Sequence, residues 1–156
     1  MAASDKTQWL SVDEQRAWRS YLEANKVLMD ALDRQLQRDA GLPHAYYEIL
    51  VRLSEAEERT LRMSELADST LSSRSRLSHA VARLEERGWV VREECLTDRR
   101  GQNARLTDEG FAVLAAAAPG HVAAVRRLVV DVLTPKQLAA IAAIGDAIIA
   151  AVADER

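Results

Sequence analysis

Between Ser11 and Gly41 the apolar residues Trp18, Tyr21, Leu22, Leu28, Met29, Leu32 and Leu36 recur at helical spacing. This predicts one long amphipathic helix. Ser11 is its N-cap, Glu14 the capping-box partner, and Gly41 with Pro43 its end. The ten residues before it have no clear period, although Trp9 and Leu10 are candidates for packing back onto the fold. Tyr46, Ile49, Leu50 and Leu53 keep the same rhythm in a second helix, with Pro43 placed in its first turn. A charged loop from Glu55 to Arg59, a short strand edge from Thr60 to Met63 and a short helix capped by Ser64 follow. Leu66 and Ala67 are the buried pair of that helix, and Leu71 and Ser72 form the turn after it.

The next helix, about 73–87, divides cleanly on a wheel of about 100° per residue. Leu77, Ala80, Val81 and Leu84 share an inward side, whereas Ser75, Ser78, His79, Ala82 and Glu86 face outward, with Arg76 and Arg83 on a flank. Gly88 takes the left-handed position that ends the helix. Trp89, Val90 and Val91 then start a strand, with Trp89 in the core, and CLTDRRGQNARLT supplies a turn and a returning strand. From Thr107 a long helical region begins. Pro119 and Gly120 should bend it without ending it, because the apolar period resumes at Val122, Val125, Leu128 and Val129. Thr134 and Pro135 open the last helix, whose stripe is Leu138, Ile141, Ile144, Ile148 and Val152. With Gly145 and Asp146 interrupting it, this run is read as a buried helix and a poor membrane span.

These elements make a mainly α fold: a winged helix-turn-helix of about six helices plus a small β-hairpin wing, with N- and C-terminal dimerisation helices. Residues 1–40 form the N-terminal helical part of the dimerisation region. Residues 41–107 form the winged unit, with a recognition helix at about 73–87 and a wing at about 89–106, and residues 108–156 form the C-terminal dimerisation helices. Both ends carry more apolar surface than one small domain needs, so pairing of two copies is expected.

Composition agrees: 48% of the 156 residues are apolar, with only six glycines and three prolines. Charge sharpens the picture further. The chain carries a formal charge of -3, yet residues 71–105 hold eight arginines against five acids, while the segments on either side are net acidic. A local phosphate-binding face fits that distribution better than binding through overall charge. The single cysteine, Cys95, rules out an intramolecular disulfide, and the absence of a leader-like start makes a cytoplasmic location the expectation. There is no HExxH, CxxC, glycine-rich phosphate loop or Ser/His/Asp spacing, and His44, His79 and His121 are scattered along the chain. No enzyme, metal or cofactor is therefore expected.

Hydroxyls, an imidazole and guanidinium groups crowd the front half of the 73–87 helix, and glutamates enter only from Glu85. Such groups contact base edges and phosphates in a major groove. In the wing turn, Asp98 can pair with Arg100 while Arg99 and Arg100 project, suited to a minor groove's negative potential.

On SELADSTLSSRSRLSHAVARLEERGWVVRE and TDRRGQNARLTDEG, where Asp-x-Arg precedes a Leu-Thr-x-x-Gly helix start, the chain resembles the MarR (multiple antibiotic resistance regulator) family over nearly its whole length. The resemblance implies a sequence-specific transcriptional regulator. It would act as a repressor, a homodimer on a pseudo-palindromic operator in double-stranded DNA, released by a small molecule or an oxidant. It assigns Ser78, His79 and Arg83 to groove-facing positions and Ser73, Arg74, Ser75 and Arg76 to the start of the recognition helix. Arg100 becomes the minor-groove arginine and Asp98 the carboxylate that orients it. His79 departs from the arginine that many relatives carry, and a histidine can donate or accept. For an effector pocket, the resemblance directs attention to Trp18, Tyr21, His44, Tyr46 and Tyr47. Two rivals are a winged-helix module used only for protein contacts and a redox-responsive regulator working through Cys95.

Overall fold

Each helix starts and stops where local hydrogen bonding requires it. In the computed structural model, which describes residues 7–70, 72–94 and 101–155, helix α1 spans Val12–Ala40. The Glu14 amide donates to Ser11 Oγ at 3.3 Å and the Ser11 amide to Glu14 Oε2 at 2.7 Å, the expected capping box. Gly41, at φ +60°, ends the helix and turns Leu42 into the core. The chain divides into two compact units, residues 1–31 and 32–156, and α1 begins in the first and ends in the second.

Helix α2 (His44–Glu55) corrects one expectation: Pro43 is its cap rather than a first-turn residue. The side chain that satisfies its first amide comes from α1, where Asp33 Oδ1 accepts from the His44 N–H at 2.8 Å. A short 3₁₀ turn, Glu57–Arg59, holds Glu58 and Arg59 in left-handed conformations and delivers strand β1, Thr60–Arg62. Helix α3 (Met63–Ser69) starts two residues earlier than a Ser64 cap would allow. Arg62 takes the cap position because its amide donates to Glu65 Oε2 at 3.3 Å, three residues on. Leu66 and Ala67 are buried as the pattern required.

Helix α4 (Arg74–Glu86) has Ser73 as its cap, and Gly88, at φ +73°, closes it. Trp89 does not fill the core. Its amide donates to Leu84 O at 3.0 Å and so belongs to the closing turn of α4, leaving the ring half-buried with the Arg87 guanidinium 4.8 Å from its centroid. Strand β2 (Val90–Glu94) therefore begins at Val90, and Val90 takes the core position. With β3 (Gln102–Leu106) and β1 it makes a three-stranded antiparallel sheet, ordered β1-β3-β2. The wing is thus not a free hairpin. Its returning strand is pinned by β1, with Thr60 opposite Arg105 and Arg62 opposite Asn103.

Helix α5 (Asp108–Val125) starts at Thr107, whose Oγ1 accepts from the Gly110 amide at 3.0 Å. It continues through Pro119, and the break in its ladder comes later, as a π-helical turn over Arg126–Val130. Helix α6 (Pro135–Ala153) opens on the expected Thr134 cap, which exchanges hydrogen bonds with Gln137. Leu36, Leu50, Leu53, Leu66, Leu77, Val81, Leu84 and Val90 form a core that α5 joins through Leu114 and Ala117. Each fully buried side chain of this kind contributes about 1.5–3 kcal/mol relative to exposure.

The expectation of a buried last helix fails for the single chain. None of the α6 residues is buried, and Ile141 and Ile144 are each 51% exposed. Its apolar stripe is present but uncovered. By length and hydropathy alone, Asp108–Val130 and Pro135–Ala153 could each cross a membrane, so the second passes that test despite its interruption at Gly145 and Asp146. The first of these segments contributes Leu114, Ala117 and Ala124 to buried positions.

Candidate nucleic-acid interface

Burial of Leu77, Val81 and Leu84 fixes how α4 is rotated, and that rotation decides what it shows to solvent. Ser73, Arg74, Ser75, Arg76, His79 and Arg83 are all exposed, and Ser78 is half-buried. The Arg76 amide donates to Ser73 Oγ at 3.2 Å, so Ser73 serves the helix end and its hydroxyl oxygen is already engaged. Arg83 pairs with Glu86 at 2.8 Å, and this hydrogen bond raises its pKa above the ordinary guanidinium value. The exposed front of α4 thus carries Arg74 and Arg76 without an acidic residue in its first turn.

This face continues onto neighbouring elements. A groove of about 480 Å³ lies where α4 meets the start of α3 and the wing, lined by Arg62, Met63, Ser64, Arg74, Ser78, Gly101 and Gln102. Sequence reasoning gave Arg62 and Ser64 only structural roles, as strand edge and cap. The signal that would have found them is the sheet order: pairing of β1 with the wing strand brings them beside α4. A second cleft, of about 600 Å³, involves α2, the turn before α4 and α4 itself, and Tyr46, Thr70, Ser72, Arg76, His79 and Arg83 are among its walls. Asp98, Arg99, Arg100 and Cys95 lie outside the described residues, as does the Leu71 assigned to the turn. On the described wing strands, Arg105 Nε donates to Glu93 Oε1 at 2.7 Å.

The aromatic candidates separate into groups. Within the first unit, Trp18 and Tyr21 stack at 6.2 Å between centroids. Within the second, Tyr47 lies 4.5 Å and His44 5.6 Å from the ring of His121, whereas Tyr46 lines the cleft beside α4. His44 and His121 are therefore not scattered. Their separation in sequence is closed by the packing of α2 on α5, which a linear pattern does not disclose. His121 Nδ1 sits 3.2 Å from Oε1 of the buried Gln35, and burial together with the neighbouring His44 holds its pKa below the ordinary imidazole value. No group of three or more metal-ligating side chains occurs among the described residues.

A profile described as the MarR family matches residues 40–101, which run from the end of α1 into the wing. The fold is similar to Sco3205 of Streptomyces coelicolor, a MarR family transcriptional regulator solved in complex with DNA. The two are 57% identical, the TM-score is 0.89, and the match covers 92% of this chain and 90% of that one. It is similar also to AbsC of the same organism, at 44% identity and TM-score 0.89 over 95% of this chain and 99% of that one. Among curated proteins, the regulator PrsX of Escherichia coli is 32% identical over 90 residues, 58% of this chain. The chain spans about half the length of the curated relatives it matches, 54% in the case of PrsX.

Proposed function

The chain belongs to the MarR family of winged helix-turn-helix transcriptional regulators, and from that premise we propose that it is a repressor that binds operator DNA as a homodimer. The observation that carries this is the exposed front of α4, where Arg74, Ser75, Arg76 and His79 face solvent together beside a groove that reaches the wing. Guanidinium groups there suit phosphates, and the hydroxyl and imidazole suit base edges in a major groove. Ser73, Ser78 and Arg83 complete that contact set. Arg100, oriented by Asp98 and flanked by Arg99, enters the adjoining minor groove.

Residues 41–107 read DNA, while residues 1–40 and 108–156 pair the two copies. The uncovered stripe of α6 supports that division, since a helix with none of its residues buried needs a partner for Ile141, Ile144 and Ile148. The protein works in the cytoplasm and gives up its operator when a small molecule binds near His44 and Tyr47. It performs no chemistry of its own.

A dimer of this kind makes a footprint with a defined geometry. Protection of DNA upstream of its own gene should cover two inverted half-sites centred about one helical turn, roughly 34–36 Å, apart, and sedimentation of the free protein should give twice the chain mass. A stable monomer, or no protected site on any candidate operator, would instead favour a module for protein contacts.

A further inference from the structure

The strand β2 alternates in a way that places one residue oddly. Val90 and Arg92 share the face directed at α4, with Val90 buried, while Val91 and Glu93 point to the other face. A second aliphatic side chain would be the expected occupant of position 92. The arginine there is only 23% exposed, and its head group makes a set of contacts to α4 rather than to solvent. Its Nη2 donates to the main-chain carbonyl of Ser78 at 2.7 Å and lies 3.5 Å from Ser78 Oγ. Its Nε stands 3.1 Å from Glu85 Oε2, close enough for ion pairing though off the hydrogen-bonding line, and its amide donates to Glu85 Oε1 at 3.0 Å.

We propose that Arg92 is a positioning residue for DNA recognition: it clamps two turns of α4, at Ser78 and Glu85, to the wing strand and so fixes the angle at which Ser78 and His79 meet base edges. This rests on the DNA-binding function proposed above. Two fixed points on one helix, seven residues apart in sequence, constrain both its rotation and its tilt. A single apolar contact at position 92 would leave both freer. Partly buried ion pairs contribute little net stability against an apolar side chain of similar volume, and one recognised use for them is to specify a unique arrangement. The clamp also engages Ser78 on its inner side. With a guanidinium beside Oγ, the hydroxyl hydrogen is directed away from Arg92, which makes Ser78 a hydrogen-bond donor towards acceptors such as purine N7 or thymine O4.

The test compares operator DNA with a duplex of scrambled sequence, using full-length protein. Arg92→Met combined with Glu85→Gln removes the guanidinium's hold on Ser78 and Glu85 without leaving an unpaired charge, and keeps a side-chain acceptor for the main-chain amide of residue 92. It should keep the wild-type unfolding midpoint and scrambled-DNA affinity, yet lose about tenfold or more of its preference for operator, the scale of one or two lost base contacts. Arg92→Lys, which retains the charge but not the fork, should recover only part of that preference. A double variant with undiminished operator preference overturns the proposal. So does equal loss on both duplexes with a shallower salt dependence, because that would make Arg92 a phosphate contact. If the wild-type protein itself shows no preference for any operator, it is the DNA-reading function that fails.

Discussion

Gly110→Ala should destabilise the chain by about 3 kcal/mol or more, at the upper end of the cost of forcing an added methyl into a packed site. A β-carbon at position 110 would lie 2.1 Å from the Trp89 carbonyl oxygen and 2.8 Å from Leu106 Cδ1. The first of these is main chain and cannot swing aside. It is also already in use, accepting from the Thr107 amide at 3.0 Å. Thr107 meanwhile donates its hydroxyl to Gly88 O at 2.7 Å and accepts from the Gly110 amide. The Leu-Thr-x-x-Gly run is therefore a joint at which the end of α4, the end of β3 and the start of α5 meet, and only glycine lets α5 approach the Trp89 carbonyl that closely. Urea unfolding measures the effect, and an unchanged midpoint would contradict the close approach.

Arg74→Glu with Arg76→Glu should have opposite effects on folding and on binding. Both side chains are exposed in the first turn of α4, where the helix dipole disfavours cations. Acidic replacements there should stabilise the helix, by about 0.3–1 kcal/mol each at low ionic strength. DNA affinity should nevertheless fall by at least about a hundredfold, since two charges that the proposed function sets against phosphates are reversed and their counterion release is lost. Fluorescence anisotropy with labelled operator and thermal unfolding of the same variant give the two readings. Parallel loss of stability and affinity would mean that the arginines serve the fold, whereas retained affinity would remove them from the interface.

Much of this was legible along the chain because caps and periods are local. Ser11 with Glu14, Thr107 with Gly110, Thr134 with Pro135, and Gly88 in the left-handed region all stand where the sequence places them. The wheel through Leu77, Val81 and Leu84 gave the inner side of α4, and with it the exposed set from Arg74 to Arg83. What escaped depends on contacts distant in sequence. Trp89 looked like a core residue because its size suggests burial, but its amide closes a helix. Arg62 and Ser64 reach the groove only because β1 pairs with β3, and His121 meets His44 only because α5 packs on α2. No linear pattern reports that the Arg92 guanidinium grips Ser78. The apolar stripe and alanine-rich composition of the last helix predict burial, and neither says whether this chain itself supplies the cover.

The central claim, that the α4 face and the wing hold the DNA backbone, is tested most directly by titrating the affinity for an operator duplex against potassium chloride. Log affinity should fall linearly with log salt, at a slope of about -0.9 for each phosphate contact, and Arg100→Ala should make that slope shallower by about one. Affinity that is flat across the titration, or absent at low salt, would contradict it.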